Sequence, residues 1–193
     1  MDRAEALYNN SDKNFTLAVI DDADWNRDFS PWKAAKVFKD SEDFSGGAAV
    51  YLNRLITEII PEAEAKQGIR PLQRGILGYS LAGLFALYAF INTDFFCFAG
   101  SVSGSLWFDG WLDYIKEKAP ALDGRGRVYL SVGDNESHAR NQRMKCVEDN
   151  TKLTEELLKK AGCEVMFELN RGGHFTDTEV RVLKCIKWLK GGN

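Results

Sequence analysis

The sequence predicts an α/β fold with three layers, a mostly parallel sheet carrying helices on both faces, and three observations lead there. Short apolar runs rich in β-formers alternate with longer segments of helical spacing roughly every 25–40 residues, the pattern of βαβ units. A chain of 193 residues with 45% hydrophobic content is enough for one compact core. No internal repeat, low-complexity tract or Pro/Gly/Ser-rich linker interrupts it, so residues 1–193 read as a single domain.

Taken in order, residues 15–20 form an apolar run that reads as a strand, and the polar, Trp-containing stretch 21–32 as a loop. Residues 48–60 place Val50, Leu52, Leu55, Ile56, Ile59 and Ile60 close to helical spacing, with Pro61 as the expected stop. Gly75-Ile76-Leu77-Gly78 is a second strand, running directly into an apolar helix over 81–90. Residues 95–102 and 128–132 supply a third and a fourth strand, the latter ending at Gly133. An amphipathic helix over 151–161 closes at Gly162, the alternating run 165–169 is a fifth strand, and 179–190 is the last helix.

Composition narrows the function. The net charge of -3 and pI near 5.5 offer no basic surplus for phosphates, so nucleic acid is excluded as the expected partner. No apolar run approaches the ~20 residues of a membrane span, and Met1-Asp2-Arg3 does not open a secretion signal, so no membrane is expected and the location reads as cytoplasmic. Cys97, Cys146, Cys163 and Cys185 are scattered, without a Cys-x-x-Cys pair, and two histidines add little to a metal set. Reduced thiols and no cofactor follow.

In an open α/β sheet ligands bind beyond the carboxyl ends of the strands, so the chemistry is sought there. Gly78-Tyr79-Ser80-Leu81-Ala82-Gly83 lies between a strand and a helix, where a sharp turn lifts a serine hydroxyl above the sheet edge. Such a turn needs small residues two before and two after the serine, a demand that Gly78 and Ala82 meet. Ser80 is therefore the expected nucleophile, and Leu81 N–H an oxyanion donor. His174, after the last strand and a Gly-Gly pair, is the expected base; His138 sits in a polar loop and reads as solvated. Gly133-Asp134-Asn135-Glu136 offers two carboxylates, Asp134 and Glu136, to orient the imidazole, although an ordinary turn would use the same residues. Trp25, Trp32, Trp107 and Trp111 flank the strand ends, placed either to line an apolar pocket or to pack the core. Tyr79, Trp25 and Trp107 are the expected substrate contacts.

At this point the chain resembles a family. Trp25-Asn26-Arg27-Asp28-Phe29-Ser30-Pro31-Trp32, the turn around Ser80, Ser103-Gly104-Ser105-Leu106-Trp107 and Gly172-Gly173-His174-Phe175 are similar to blocks of the esterases of the α/β-hydrolase fold related to esterase D, enterochelin esterase and feruloyl esterase. The resemblance implies a serine esterase acting on a small-molecule carboxylic ester, with Ser80 as nucleophile and His174 as base. The family's acid commonly stands three residues after the glycine matching Gly133, which points to Glu136, with Asp134 as the alternative. Relatives also carry a strand ahead of the one matching 15–20, whose following loop gives a second oxyanion donor. The chain is expected to be N-terminally shortened, with that donor supplied by the loop 21–25, by a second subunit of a homo-oligomer, or not at all. Losing one such donor typically costs about 3 kcal/mol. A silent hydrolase-fold binding protein and an acyltransferase using the same serine are the other readings.

Overall fold

The computed structural model describes residues 15–191. Helix α1 (Trp25–Asp28) is a single turn capped reciprocally: Asp24 Oδ1 accepts from Arg27 N–H, and Asp28 Oδ2 accepts from Asp24 N–H. Two short strands follow, β1 (Lys33–Ala34) and β2 (Phe44–Ser45), paired antiparallel. Helix α2 (Ala48–Arg54) runs through a π turn (Leu55–Ile59) into α3 (Ile60–Gln67), so Pro61 does not end the helix as expected. In the π turn Ile60 N–H reaches Leu55 O, and Pro61, which has no N–H to offer, opens a fresh first turn. The stop is Gly68, at φ 66°.

The main sheet is parallel, ordered β3 (Gly75–Tyr79), β4 (Phe98–Val102), β5 (Arg127–Gly133), β6 (Glu164–Asn170). Neighbours in space are consecutive in the chain, and right-handed crossovers then stack the connecting helices on one face. These are α4 (Leu81–Asn92), α5 (Trp111–Lys118) and α6 (Val147–Lys160). Helix α4 is apolar nearly all round because it is buried nearly all round, with Leu84, Phe85, Leu87 and Phe90 inside. The alternation of β5 divides two cores: Val128, Leu130 and Val132 face those helices, while Tyr129 faces the other way. On that second face α7 (Thr178–Leu189) packs Cys185 and Leu189 against Tyr129 and Val102. It comes so close that a Cβ on Gly100 would lie 2.3 Å from Cys185 Sγ. This is the expected three-layer α/β architecture. No helix among the described residues is long and apolar enough to cross a membrane.

The expected strand over 15–20 is corrected. That stretch is irregular, with Val19 59% and Ile20 42% exposed, and no strand among the described residues pairs with it. An apolar run supplies the side chains of a strand, but only a neighbour supplies its ladder. The third strand also begins later than expected, at Phe98, because a turn at residues 94–95 and a bend at Cys97 precede it.

Register places the site. Tyr79 pairs with Val102, Val102 with Ser131, and Gly133 with Asn170, so the carboxyl ends of the strands open side by side onto one edge.

Candidate active site

The turn after β3 holds Ser80 at φ 59°, ψ -123°, a backbone region that costs a non-glycine residue about 1–3 kcal/mol. Its surroundings over-determine it. Ser80 N–H donates to Val102 O at 3.1 Å, and Ser80 O accepts from Gly83, Leu84 and Ser105 N–H at 3.0, 3.2 and 3.0 Å. Gly78 is required by close approach: a Cβ there would lie 2.2 Å from Ala82 O. Leu81 N–H begins α4 and so is among the donors a helix cannot satisfy from within.

Ser80 Oγ lies 3.0 Å from His174 Nε2, and His174 Nδ1 lies 2.7 Å from Glu136 Oε2. His174 stands between β6 and α7, and Glu136 opens a 3₁₀ turn (Glu136–His138) just beyond β5. The Glu136 side chain is 4% exposed, the His174 side chain 22%. Burial alone would raise the Glu136 carboxyl. The hydrogen bond and charge of His174, the N–H of Gly133 and the Ser103 hydroxyl outweigh that and hold it below the ordinary carboxylate value. Asp134 is exposed and turned elsewhere, its Oδ1 accepting Gly172 N–H at 2.8 Å.

The remaining expected contacts divide. Trp107 is buried and, with Asn135, Glu136, His138, Ala139, Met144, Val147 and His174, lines a cleft of about 210 Å³ beside the histidine. Tyr79 packs its ring against His174 at 5.4 Å and donates its hydroxyl to the His174 carbonyl; burial raises its phenol. Trp25 is half exposed, stacks edge-on against Phe29 at 5.1 Å and does not line the cleft. Trp111 is wholly buried, with its indole N–H on Thr154 Oγ1 at 3.0 Å, and Trp32 donates to Asp109 O at 2.8 Å. His138, expected to be merely solvated, is exposed but also lines the cleft. In the loop 21–25, Asp24 N–H is already bound to Asp28 Oδ2, so that group is not a spare oxyanion donor.

Three further residues meet here that strand-end reasoning did not single out for a role. Ser105, 2% exposed, brings its Oγ to 3.4 Å from Ser80 Oγ. Ser103 Oγ accepts from Arg181 Nη1 at 2.9 Å, and Arg181 Nη1 also reaches Glu136 Oε1 at 3.1 Å. Among the described residues no group of three His, Cys, Asp or Glu side chains is placed to hold a metal ion.

Comparison with known proteins agrees with this architecture. Residues 4–177 match the family described as "Putative esterase". The uncharacterised protein YbbA of Bacillus subtilis (strain 168) is 27% identical over 174 residues, 86% of this chain and 69% of that protein. An IroE-like serine hydrolase from Shewanella oneidensis superposes with a TM-score of 0.73 at 20% identity, over 85% of this chain and 56% of its own. The BES protein from Bacillus cereus does so at 0.69 and 22% identity, over 86% and 65%. The chain thus spans little more than half the length of the Shewanella hydrolase.

Proposed function

The chain belongs to this esterase family, a family of carboxylic ester hydrolases, and from that premise we propose that it cleaves a small-molecule carboxylic ester by two-step acyl transfer. In this reading Ser80 is the nucleophile, His174 its general base and Glu136 the acid. The observation that carries it is the unbroken line from Ser80 Oγ through both ring nitrogens of His174 to Glu136, at 3.0 and 2.7 Å. The serine heading that line stands on a strained strand-to-helix turn.

The order of events follows from the donors. Glu136 is held ionised and can only accept, so it fixes the His174 proton on Nδ1 and leaves Nε2 free to take the Ser80 proton. Ser80 Oγ then attacks the ester carbonyl, and Leu81 N–H is aligned by the start of α4 to stabilise the oxyanion. His174 returns its proton to the departing alkoxide. Water, deprotonated by the same nitrogen, then adds to the acyl carbonyl, the bond to Ser80 Oγ breaks, and Nε2 returns the proton to Ser80 as the acid leaves. The cleft beside Trp107 and His174 receives one side of the substrate. The Shewanella protein is a serine hydrolase, and its shared fold supports the same chemistry here. A cytoplasmic location belongs to this reading and agrees with four free cysteines.

Treatment with a fluorophosphonate probe, followed by peptide mass spectrometry, is the direct test. The adduct is expected on Ser80, with wild-type protein hydrolysing p-nitrophenyl acetate and Ser80→Ala inert. Folded protein that neither labels nor hydrolyses would point to a silent binding fold. Labelling with slow hydrolysis but rapid transfer to an added alcohol would point to an acyltransferase.

A further inference from the structure

Arg181 has no part in the chemistry so far, yet it is one of the most deeply buried side chains, at 1% exposure. It rises from the first turn of α7, on the face of the sheet opposite the nucleophile's helix. Its Nη1 donates to Glu136 Oε1 at 3.1 Å and to Ser103 Oγ at 2.9 Å. Its Nη2 donates to the carbonyls of Arg171 and Gly173 at 2.9 and 3.1 Å. Glu136 is thereby shared. Oε2 faces the imidazole, while Oε1 takes the guanidinium and, at 2.7 Å, Gly133 N–H.

Two physical consequences follow. A guanidinium is a rigid planar fork, so a group that holds Glu136 with one nitrogen and the carbonyl just before His174 with the other fixes the acid relative to the base. A buried cation 3.1 Å from Glu136 Oε1 also offsets the carboxylate, so the imidazole faces a compensated rather than a bare negative charge.

We propose that Arg181 is a positioning residue for hydrolysis, holding Glu136 and the backbone of His174 in register and offsetting the charge of the acid that faces the imidazole. This rests on the reading of Ser80, His174 and Glu136 given above. A residue that only packed the α7 interface would affect stability and leave the pH profile alone.

The test compares wild type with R181K and R181M, using p-nitrophenyl acetate from about pH 5 to 9 and circular dichroism to confirm the fold. S80A and H174A serve as references. In R181M, kcat is expected to fall roughly a hundredfold with KM little changed. The acid limb of its kcat/KM profile should move up by about one pH unit, since the compensating charge is gone. R181K keeps the charge but cannot span all four acceptors, so its limb should stay in place while kcat falls about tenfold. An R181M limb that does not move would leave Arg181 a structural role only and overturn the proposal. Should R181M fail to fold, R181K decides: wild-type kcat there would overturn it. Inactive S80A and H174A beside wild-type arginine variants would sink this inference alone. Fully active S80A or H174A would sink the catalytic reading, and this inference with it.

Discussion

Replacing Glu136 by glutamine keeps the shape of the site and removes a single charge, so its consequence can be worked from the hydrogen bonds. Two donors converge on Oε1, Gly133 N–H at 2.7 Å and Arg181 Nη1 at 3.1 Å, and both demand an oxygen there. A glutamine therefore turns its carbonyl toward them and its NH₂ toward His174 Nδ1. That forces Nδ1 to accept and puts the ring proton on Nε2, the nitrogen that has to receive the Ser80 proton. The imidazolium formed during attack also loses its counter-charge. At a charge separation of about 4 Å and an effective dielectric of about 20, that attraction is about 4 kcal/mol, or about a thousandfold in rate. With the tautomer also wrong, kcat for p-nitrophenyl acetate in E136Q should fall about 10³–10⁴-fold, as when the acid of a serine protease triad is made an amide. Asp134→Asn is the paired control. Asp134 serves only as an acceptor for Gly172 N–H, which an asparagine oxygen replaces, so kcat should stay within about threefold. An E136Q enzyme within tenfold of wild type, or a larger loss in D134N, would refute the assignment of the acid.

Three further outcomes are expected. Because the Glu136 carboxyl is held below its ordinary value when folded, its ionised form adds stability above the unfolded carboxyl range, and that contribution is lost as pH falls through the folded value. The melting-temperature advantage of wild type over E136Q should therefore be full near pH 6–7 and shrink below about pH 4; an advantage that is constant to about pH 3 would contradict this. Gly78→Ala sets a methyl 2.2 Å from Ala82 O, so the first turn of α4 must shift. Stability to urea should drop by about 1–3 kcal/mol and fluorophosphonate labelling of Ser80 should slow sharply, and wild-type labelling would show that the turn is not held this tightly. His138→Ala, at the rim of the cleft, should alter KM and leave kcat within about threefold; a loss of kcat like that of His174→Ala would make His138 part of the chemistry.

How much of this could be read in the sequence depends on whether the signal was local. The turn around Ser80 is written in six consecutive residues, because the steric demand falls on Gly78 and Ala82 themselves, and it lies where strand pattern gives way to helix pattern. Strands β4 and β5, in the middle of the sheet, were legible as short buried apolar runs, and the edge strands β3 and β6 as a short apolar run before the turn at Ser80 and as an alternating run before a Gly-rich turn. Residues 15–20 carry the same kind of run, yet they make no strand, since pairing is a property of the neighbour and not of the run. Pro61 misled for a related reason. Whether a proline ends a helix depends on which carbonyl the preceding turn leaves free, and the π turn had already shifted the bonds by one residue. The two carboxylates after Gly133 were equally visible. Only the path of the loop separates Asp134, tied to Gly172, from Glu136, turned inward to His174.

Arg181 is the instructive omission, because a signal for it was present. A lone arginine in a C-terminal amphipathic helix ordinarily belongs to the solvated face. Here, however, Arg181, Cys185 and Leu189 fall at i, i+4 and i+8, which is the buried stripe of α7, while Lys184 and Lys187 lie outside it. A charge in phase with the core stripe must find an opposite charge or a set of acceptors, because burying it unpaired costs several kcal/mol. The first turn of α7 follows directly on the loop that carries His174, so any acid able to neutralise Arg181 has to stand near that histidine. Read this way, the phase of one arginine in the last helix narrows the search for the acid to carboxylates at the neighbouring strand ends. Among these, Glu136 turns inward to meet it and Asp134 does not.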